Sequence, residues 1–89
     1  MLQNPFTDNA RVMDRISEAK SIESRYVVVC PRAYVGNELE FTIFHFTHRI
    51  DAWKKADNIA KYGTWCYLLN IEDELNGVVA YLSAYCNSK

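Results

Sequence analysis

Residues 25–47 read RYVVVCPRAYVGNELEFTIFHFT, and this stretch decides the fold. The β-branched and aromatic residues at 26–30 favour a strand, while Pro31 cannot donate to a strand ladder and marks an edge position or a bulge. Gly-Asn at 36–37 suits a two-residue type II′ turn, because glycine readily adopts the positive φ of the first turn position. The stretch therefore predicts an antiparallel hairpin with a return strand over 38–47.

The return strand changes phase part-way along its length. Leu39, Phe41 and Ile43 alternate on one face, whereas Phe44 and Phe46 belong to the other face. Because side chains on a strand alternate with a period of two, one face cannot hold all five. Either a bulge near Ile43 flips the register, or both faces of the sheet are covered.

Two stretches outside the hairpin have helical spacing. The first runs from Thr7 to about Glu23, where a narrow apolar stripe follows a capping Thr-Asp pair. The second covers 48–62, with a stripe of alanines and larger apolar residues, Thr47 as its N-cap and Gly63 in the C′ position. Both patterns predict amphipathic helices, one on each side of the hairpin in the sequence.

The remainder of the chain predicts a second hairpin. Over 64–71, alternate large apolar residues face one side of a third strand: Trp65, Tyr67, Leu69 and Ile71. Asn-Gly at 76–77 is a strong turn signal, so 78–86 predicts a fourth strand. A helical stripe fits 78–86 as well. The strand is preferred because Asn-Gly interrupts a helix and Val-Val favours a pleated conformation.

The assembled prediction is an α+β fold in the order α-β-β-α-β-β, with two antiparallel hairpins joined by one long helix. The four strands form one antiparallel sheet, and both helices pack on one face of it. The chain is expected to be a single domain over 1–89, since 89 residues cannot hold two cores. Residues 1–7 are expected to be flexible.

The composition limits the classes of function. Ten Lys and Arg against eleven Asp and Glu give a formal charge of −1, which argues against non-specific nucleic-acid binding. No apolar stretch approaches the ~20 residues of a membrane span, and the N-terminal residues lack the basic and apolar regions of a secretion signal. Cys30, Cys66 and Cys86 have no C-x-x-C spacing and lie in apolar surroundings, so they predict reduced, buried thiols in a cytoplasmic protein.

The strands carry more large apolar side chains than one helix-covered face can bury. The nearly continuous apolar runs at 26–30 and 65–69 are typical of strands that are buried on both sides. We therefore expect another chain on the second face, either a second copy in a homodimer or a foreign protein. Tyrosine suits such interfaces because it joins an apolar body to a polar tip. The expected contact residues are Tyr26, Tyr34, Phe44, Trp65, Tyr67 and Tyr81.

These observations predict a small non-catalytic protein-binding domain that acts through an aromatic sheet face or a strand edge. Compact α+β chains of this size are frequent among phage and mobile-element proteins, which suggests by analogy a viral accessory protein that inhibits or modulates a host protein. One alternative is a homo-oligomeric structural protein. The other is a nucleic-acid-binding module that uses the basic side chains of the 48–62 helix, namely Arg49, Lys54, Lys55 and Lys61.

No motif predicts an enzyme, a metal site or a cofactor site. His45 and His48 have H-x-x-H spacing, but they fall in a strand and at a helix start, so their rings need not converge. A nucleophile set of Cys30 or Cys66 with His45 and Asp51 can be drawn, yet nothing marks either thiol as exposed or activated. We therefore predict no catalytic residues and no cofactor.

Overall fold

The computed structural model describes residues 5–62, 64–72 and 77–83, and within them it contains two helices and one four-stranded antiparallel sheet. In chain order the elements are α1 (Ala10–Ser21), β1 (Tyr26–Val35), β2 (Glu38–Phe46), α2 (Arg49–Lys61), β3 (Cys66–Asn70) and β4 (Val78–Leu82). The predicted α+β class and the α-β-β-α-β-β order are confirmed. The strands lie in the order β2-β1-β3-β4, so the two hairpins meet where β1 pairs with β3.

The β1–β2 hairpin has the predicted turn and one bulge. Gly36 has a φ of +65°, the sign that the first position of a type II′ turn requires. The register shifts between Pro31 and Ala33, which leaves Arg32 as an extra residue in β1. Because β3 pairs with β1 only over 26–29, the turn end of the hairpin projects beyond the third strand.

The phase switch in β2 reflects two covered faces of the sheet. Val29 pairs with Ile43 and Val28 pairs with Phe44, so the alternation continues without a break through the switch. Ile43 belongs to a core cluster with α1, whereas Phe44 packs against a second cluster that contains α2. The alternative of a register flip near Ile43 is therefore wrong, whereas the bulge that Pro31 indicated is present beside it in β1, at Arg32.

The two helices lie on opposite faces of the sheet, and the expectation that they share one face is wrong. Helix α1 packs on the face that carries Val27 and Val29, which we call the α1 face. Helix α2 packs on the face that carries Val28 and Cys30, which we call the α2 face. The physical reason is that β1 is buried on both sides, so each side needs a covering layer. The apolar surplus that suggested another chain on the second face is internal core.

Both helices begin later than the sequence indicated. The Val12 N–H donates to Oδ1 of Asn9 at 3.2 Å, so Asn9 caps α1 in place of Thr7. The N-cap of α2 is His48 in place of Thr47, and the His48 side chain makes no capping hydrogen bond.

The fourth element is a strand, so the helical alternative is wrong over 78–82. β4 pairs antiparallel with β3, and a register shift leaves Val79 as an extra residue. Residues 84–86 of the predicted strand lie outside the described residues, and so do Gly63 and Asn76. The prediction of a buried thiol at Cys86 falls on the same part of the chain. Residues 1–4 of the segment that was expected to be flexible also lie outside the described residues, whereas Phe6 of that segment is 6% exposed and packs in the core.

Candidate protein-binding surface

Five aromatic side chains meet on the α1 face, at the end of the sheet where the β1 bulge lies. Phe6 precedes α1, Phe41 belongs to β2, and Trp65 lies just before β3. Tyr67 of β3 pairs directly with Tyr81 of β4, which brings the last two rings side by side. We call these five residues the aromatic cluster.

The rings of the aromatic cluster contact one another mainly edge to face. The centroid of Phe6 lies 5.0 Å from that of Phe41 and 5.4 Å from that of Tyr67, with interplanar angles of 73° and 87°. Trp65 lies 5.9 Å from Phe41 and 5.8 Å from Tyr67. The Tyr81 ring lies 4.8 Å from the Tyr67 ring in a tilted arrangement. Aromatic pairs attract at these distances and angles, so each ring restrains its neighbours.

The aromatic cluster is only partly covered. Phe6 is buried, but Phe41, Trp65, Tyr67 and Tyr81 are half-buried. Helix α1 packs mainly against β2, whereas α2 packs against all four strands of the opposite face. In the described part of the chain, Leu69 and Val78 on this face are buried in one cluster with α1, whereas aromatic rings line the end of β3 and β4 at Tyr67 and Tyr81.

The six expected contact residues do not form one surface. The aromatic cluster takes in three of them, namely Trp65, Tyr67 and Tyr81. Tyr26 and Phe44 pack against the core of the α2 face instead. Tyr34 lies on the projecting part of the hairpin, where it is 72% exposed.

Sequence reasoning missed Phe6 and Phe41 as members of the aromatic cluster. The signal for Phe41 was available, because its alternation with Ile43 places both side chains on the same face as Tyr67. Phe6 carried no comparable signal, since it falls in a stretch without periodicity ahead of the helix cap.

The basic side chains of α2 alternate with acidic ones. Lys54, Lys55 and Lys61 line a shallow groove beside Phe46, together with two aspartates of the same helix. The Lys55 ammonium lies 4.3 Å from the centre of the Phe44 ring, a cation–π contact. Arg49 is exposed in the first turn of the helix. The mixed charge of this groove offers less to a phosphate backbone than a uniformly basic stripe would.

A second groove runs between the first turns of α1 and the start of β2. Arg11 and Arg15 line it from the helix, while Glu38 and Glu40 line it from the strand. The Nη1 atom of Arg11 lies 2.9 Å from Oε1 of Glu40, and the Arg11 side chain is mostly exposed. Both ends of β2 are thus bordered by charged side chains.

Cys30 and Cys66 are buried thiols on the α2 face. Burial raises the pKa of the Cys66 thiol to about 12, and it also raises the pKa of Cys30, which the nearby Lys55 ammonium partly offsets. A thiol that stays protonated is a weak nucleophile. Because His45 pairs with Val27, it lies on the α1 face, so the nucleophile set drawn from the sequence does not assemble.

Among the described residues, no group of three or more His, Cys, Asp or Glu side chains could hold a metal ion. Neither α1 nor α2 has the length and apolar character needed to cross a membrane. Compared with known protein families, with curated proteins and with solved structures, the chain shows no significant similarity to any of them. The case for a function therefore rests on the surface of the molecule itself.

Proposed function

We propose that this chain is a non-catalytic protein-binding domain and that the aromatic cluster is its contact surface. The observation that carries the proposal is that Trp65, Tyr67 and Tyr81 lie half-buried beside one another on the α1 face, with their rings in mutual contact. Tryptophan and tyrosine are the residue types that most often dominate the binding energy of protein interfaces.

The packing of the aromatic cluster supports this role. Each half-buried ring contacts at least one other ring of the cluster, so the exposed parts of the rings are already held in place. Binding to a surface that is ordered in advance loses less conformational entropy than binding to mobile side chains. The tyrosine hydroxyls add polar tips that can donate or accept hydrogen bonds at the rim of an interface.

We further propose that the partner is a foreign protein and that the domain occludes part of the partner's surface, as an inhibitor or modulator does. The support for this mode is the small size of the chain together with a contact surface made of rigid rings. A cytoplasmic location is supported by the free thiols of Cys30 and Cys66 in the described part of the chain, since oxidising compartments favour disulfides. An origin in a phage or a mobile element rests on the analogy of size and plain architecture.

The test compares two tyrosines that are replaced in the same way. Tyr81→Thr removes a ring from the aromatic cluster, and Tyr34→Thr removes an exposed ring from the projecting hairpin. Threonine is chosen because it is well accepted in strands. Immobilised wild-type, Tyr81→Thr and Tyr34→Thr proteins are exposed to a lysate of the native organism or its host, with and without nuclease, and the captured protein is identified by mass spectrometry.

The purified partner is then titrated against all three proteins by calorimetry. We expect Tyr34→Thr to bind like the wild type and Tyr81→Thr to bind at least about 30-fold more weakly, because truncating an interface anchor costs about 2 kcal/mol or more. Equal binding by Tyr81→Thr and the wild type would overturn the proposal. Capture that disappears with nuclease would favour the nucleic-acid module on α2, and recovery of the bait alone would favour a homo-oligomer.

A further inference from the structure

Two of the three cysteines come together on the α2 face. In the β1–β3 ladder Val29 pairs with Tyr67, so one further step along both strands brings Cys30 opposite Cys66. Both thiols are free, and both belong to the core cluster under α2. Opposite residues of antiparallel strands have Cα atoms about 4.5 or 5.5 Å apart, and disulfides join Cα atoms about 4.4–6.8 Å apart. The register therefore places the two cysteines at a spacing that suits a disulfide.

The two thiols differ in exposure and in the charges around them. Cys66 is fully buried, and its Sγ–H donates to the Ala56 carbonyl at 3.5 Å. Burial is the main cause that raises the pKa of Cys66, and the charge of Cys30 is the next, as expected for neighbouring thiols. Cys30 is 7% exposed, and the Lys55 ammonium partly offsets the effect of burial on its pKa. Cys30 is therefore the thiol that a small oxidant meets first.

We infer that Cys30 and Cys66 form a reversible disulfide that joins β1 to β3 when the chain is exposed to a peroxide. Disulfides of this transient kind serve as redox sensors in compartments that keep thiols reduced. Trp65 and Tyr67 flank Cys66 in the sequence and belong to the aromatic cluster on the opposite face, so the link holds β3 directly behind that cluster. The inference concerns the core under α2 and does not rest on the proposed function.

The oxidation takes place in two steps, with hydrogen peroxide as the two-electron oxidant. The Cys30 sulfur attacks one oxygen of the peroxide, so an S–O bond forms, the O–O bond breaks and one water leaves with the thiol hydrogen. The Cys66 sulfur then gives up its hydrogen bond to Ala56 and attacks the Cys30 sulfur. The S–S bond forms, the S–O bond breaks, and a second water leaves with the Cys66 hydrogen. Two thiols are thus oxidised to one disulfide while one peroxide is reduced to two waters.

Mass spectrometry of the folded wild type tests the disulfide. Treatment with hydrogen peroxide should lower the mass by about 2 Da, and dithiothreitol should restore it. Digestion by trypsin and a glutamyl endopeptidase, without reduction, should give residues 26–32 linked to residues 62–72. Cys86→Ala is the control, which keeps both cysteines of the pair and should react like the wild type. A link that includes Cys86, or a wild type in which Cys30 and Cys66 remain unlinked, would overturn the inference.

Two further variants test the order in which the thiols react, and both also carry Cys86→Ala. In Cys66→Ala the Cys30 sulfenic acid has no thiol to condense with, so dimedone should trap it during peroxide treatment. In Cys30→Ala the labelling of Cys66 should be at least about tenfold weaker, because a fully buried, protonated thiol is a weak nucleophile. Circular dichroism shows that each variant is folded. Equal labelling of the two variants, or stronger labelling of Cys66, would overturn the entry of the oxidant at Cys30.

Discussion

The two faces of the sheet are covered by helices that pack against them in different ways. On the α2 face, Ala52, Ala56 and Ala60 are buried, and their small side chains let the helix lie close across all four strands. On the α1 face, the helix packs mainly against β2, Leu69 and Val78 are buried in one cluster with it, and the aromatic cluster lines the end of the sheet at the β1 bulge. Half-buried rings border both faces, including Phe44 and Phe46 on the α2 face, whereas the five rings on the α1 face contact one another as one cluster.

Adjacent residues of β3 show the difference most clearly. Leu68 points to the α2 face and is fully buried, while Tyr67 points to the α1 face and is half-buried in the aromatic cluster. The α2 face is therefore expected to determine stability, and the α1 face is expected to determine binding.

Removing the Leu68 side chain is expected to have the largest effect on stability. Leu68→Ala leaves a cavity in the closed face and should lower the free energy of unfolding by about 2–5 kcal/mol. Tyr67→Phe, the neighbouring change on the other face, removes a hydroxyl from a half-buried ring and should change it by less than about 1 kcal/mol. Urea denaturation measures both, and similar values for the two variants would contradict the comparison.

Enlarging an alanine beneath α2 is expected to have the next largest effect. Ala56 is fully buried between the helix and the sheet, so Ala56→Leu should lower the free energy of unfolding by about 1–3 kcal/mol through overpacking. Ala10→Leu on the exposed start of α1 is the matched control and should be close to neutral. If Ala56→Leu were tolerated as well as Ala10→Leu in the same denaturation experiment, α2 would not lie close to the sheet.

The Cys66 thiol makes stability depend on pH in the alkaline range. Its pKa is raised by burial from 9.0 to about 12, so well below pH 9 the thiol is protonated in both the folded and the unfolded chain. Between these values the unfolded chain releases a proton that the folded chain retains, which lowers stability by at most about 1.4 kcal/mol per pH unit. Chemical denaturation at pH 8 and pH 10.5 should show a larger loss for the wild type than for Cys66→Ala. An equal loss in both proteins would refute a buried, protonated Cys66.

Relieving the strained end of α1 is expected to have the smallest effect. Glu23 has a φ of 62°, and the Ser24 N–H donates to the Ala19 carbonyl at 3.1 Å, which is the Schellman arrangement that favours glycine. Glu23→Gly should therefore raise the free energy of unfolding by about 0.5–1 kcal/mol, and Glu23→Ala should not. Thermal denaturation compares the two. Because Glu23 lies apart from the aromatic cluster, partner binding should be unchanged.

The pattern of the strands predicted much of this fold. The alternation of residues 64–71 correctly separated Tyr67, Leu69 and Ile71 from Leu68, and the glycine at position 36 correctly indicated the turn. The placement of the helices was wrong because periodicity shows that a strand is buried on both sides but does not show what covers each side. In this chain the cover comes from its own two helices.

The candidate site was harder to predict than the fold for a physical reason. Tyr26, Phe44 and Tyr67 are all aromatic strand residues, and their sequence neighbours do not show which ring will meet a helix. That outcome depends on where each helix crosses the sheet, which is decided by packing between distant parts of the chain. Only the structure separates the aromatic rings under α2 from those of the aromatic cluster.

The most direct test of the central claim uses the two tryptophans, since each reports on one face. Trp65 belongs to the aromatic cluster, and Trp53 packs on the α2 face. In a nitrogen-15 NMR titration with the captured partner, the indole N–H signal of Trp65 should shift or broaden while that of Trp53 stays in place. A response of Trp53 with an unchanged Trp65 would contradict the assignment of binding to the α1 face.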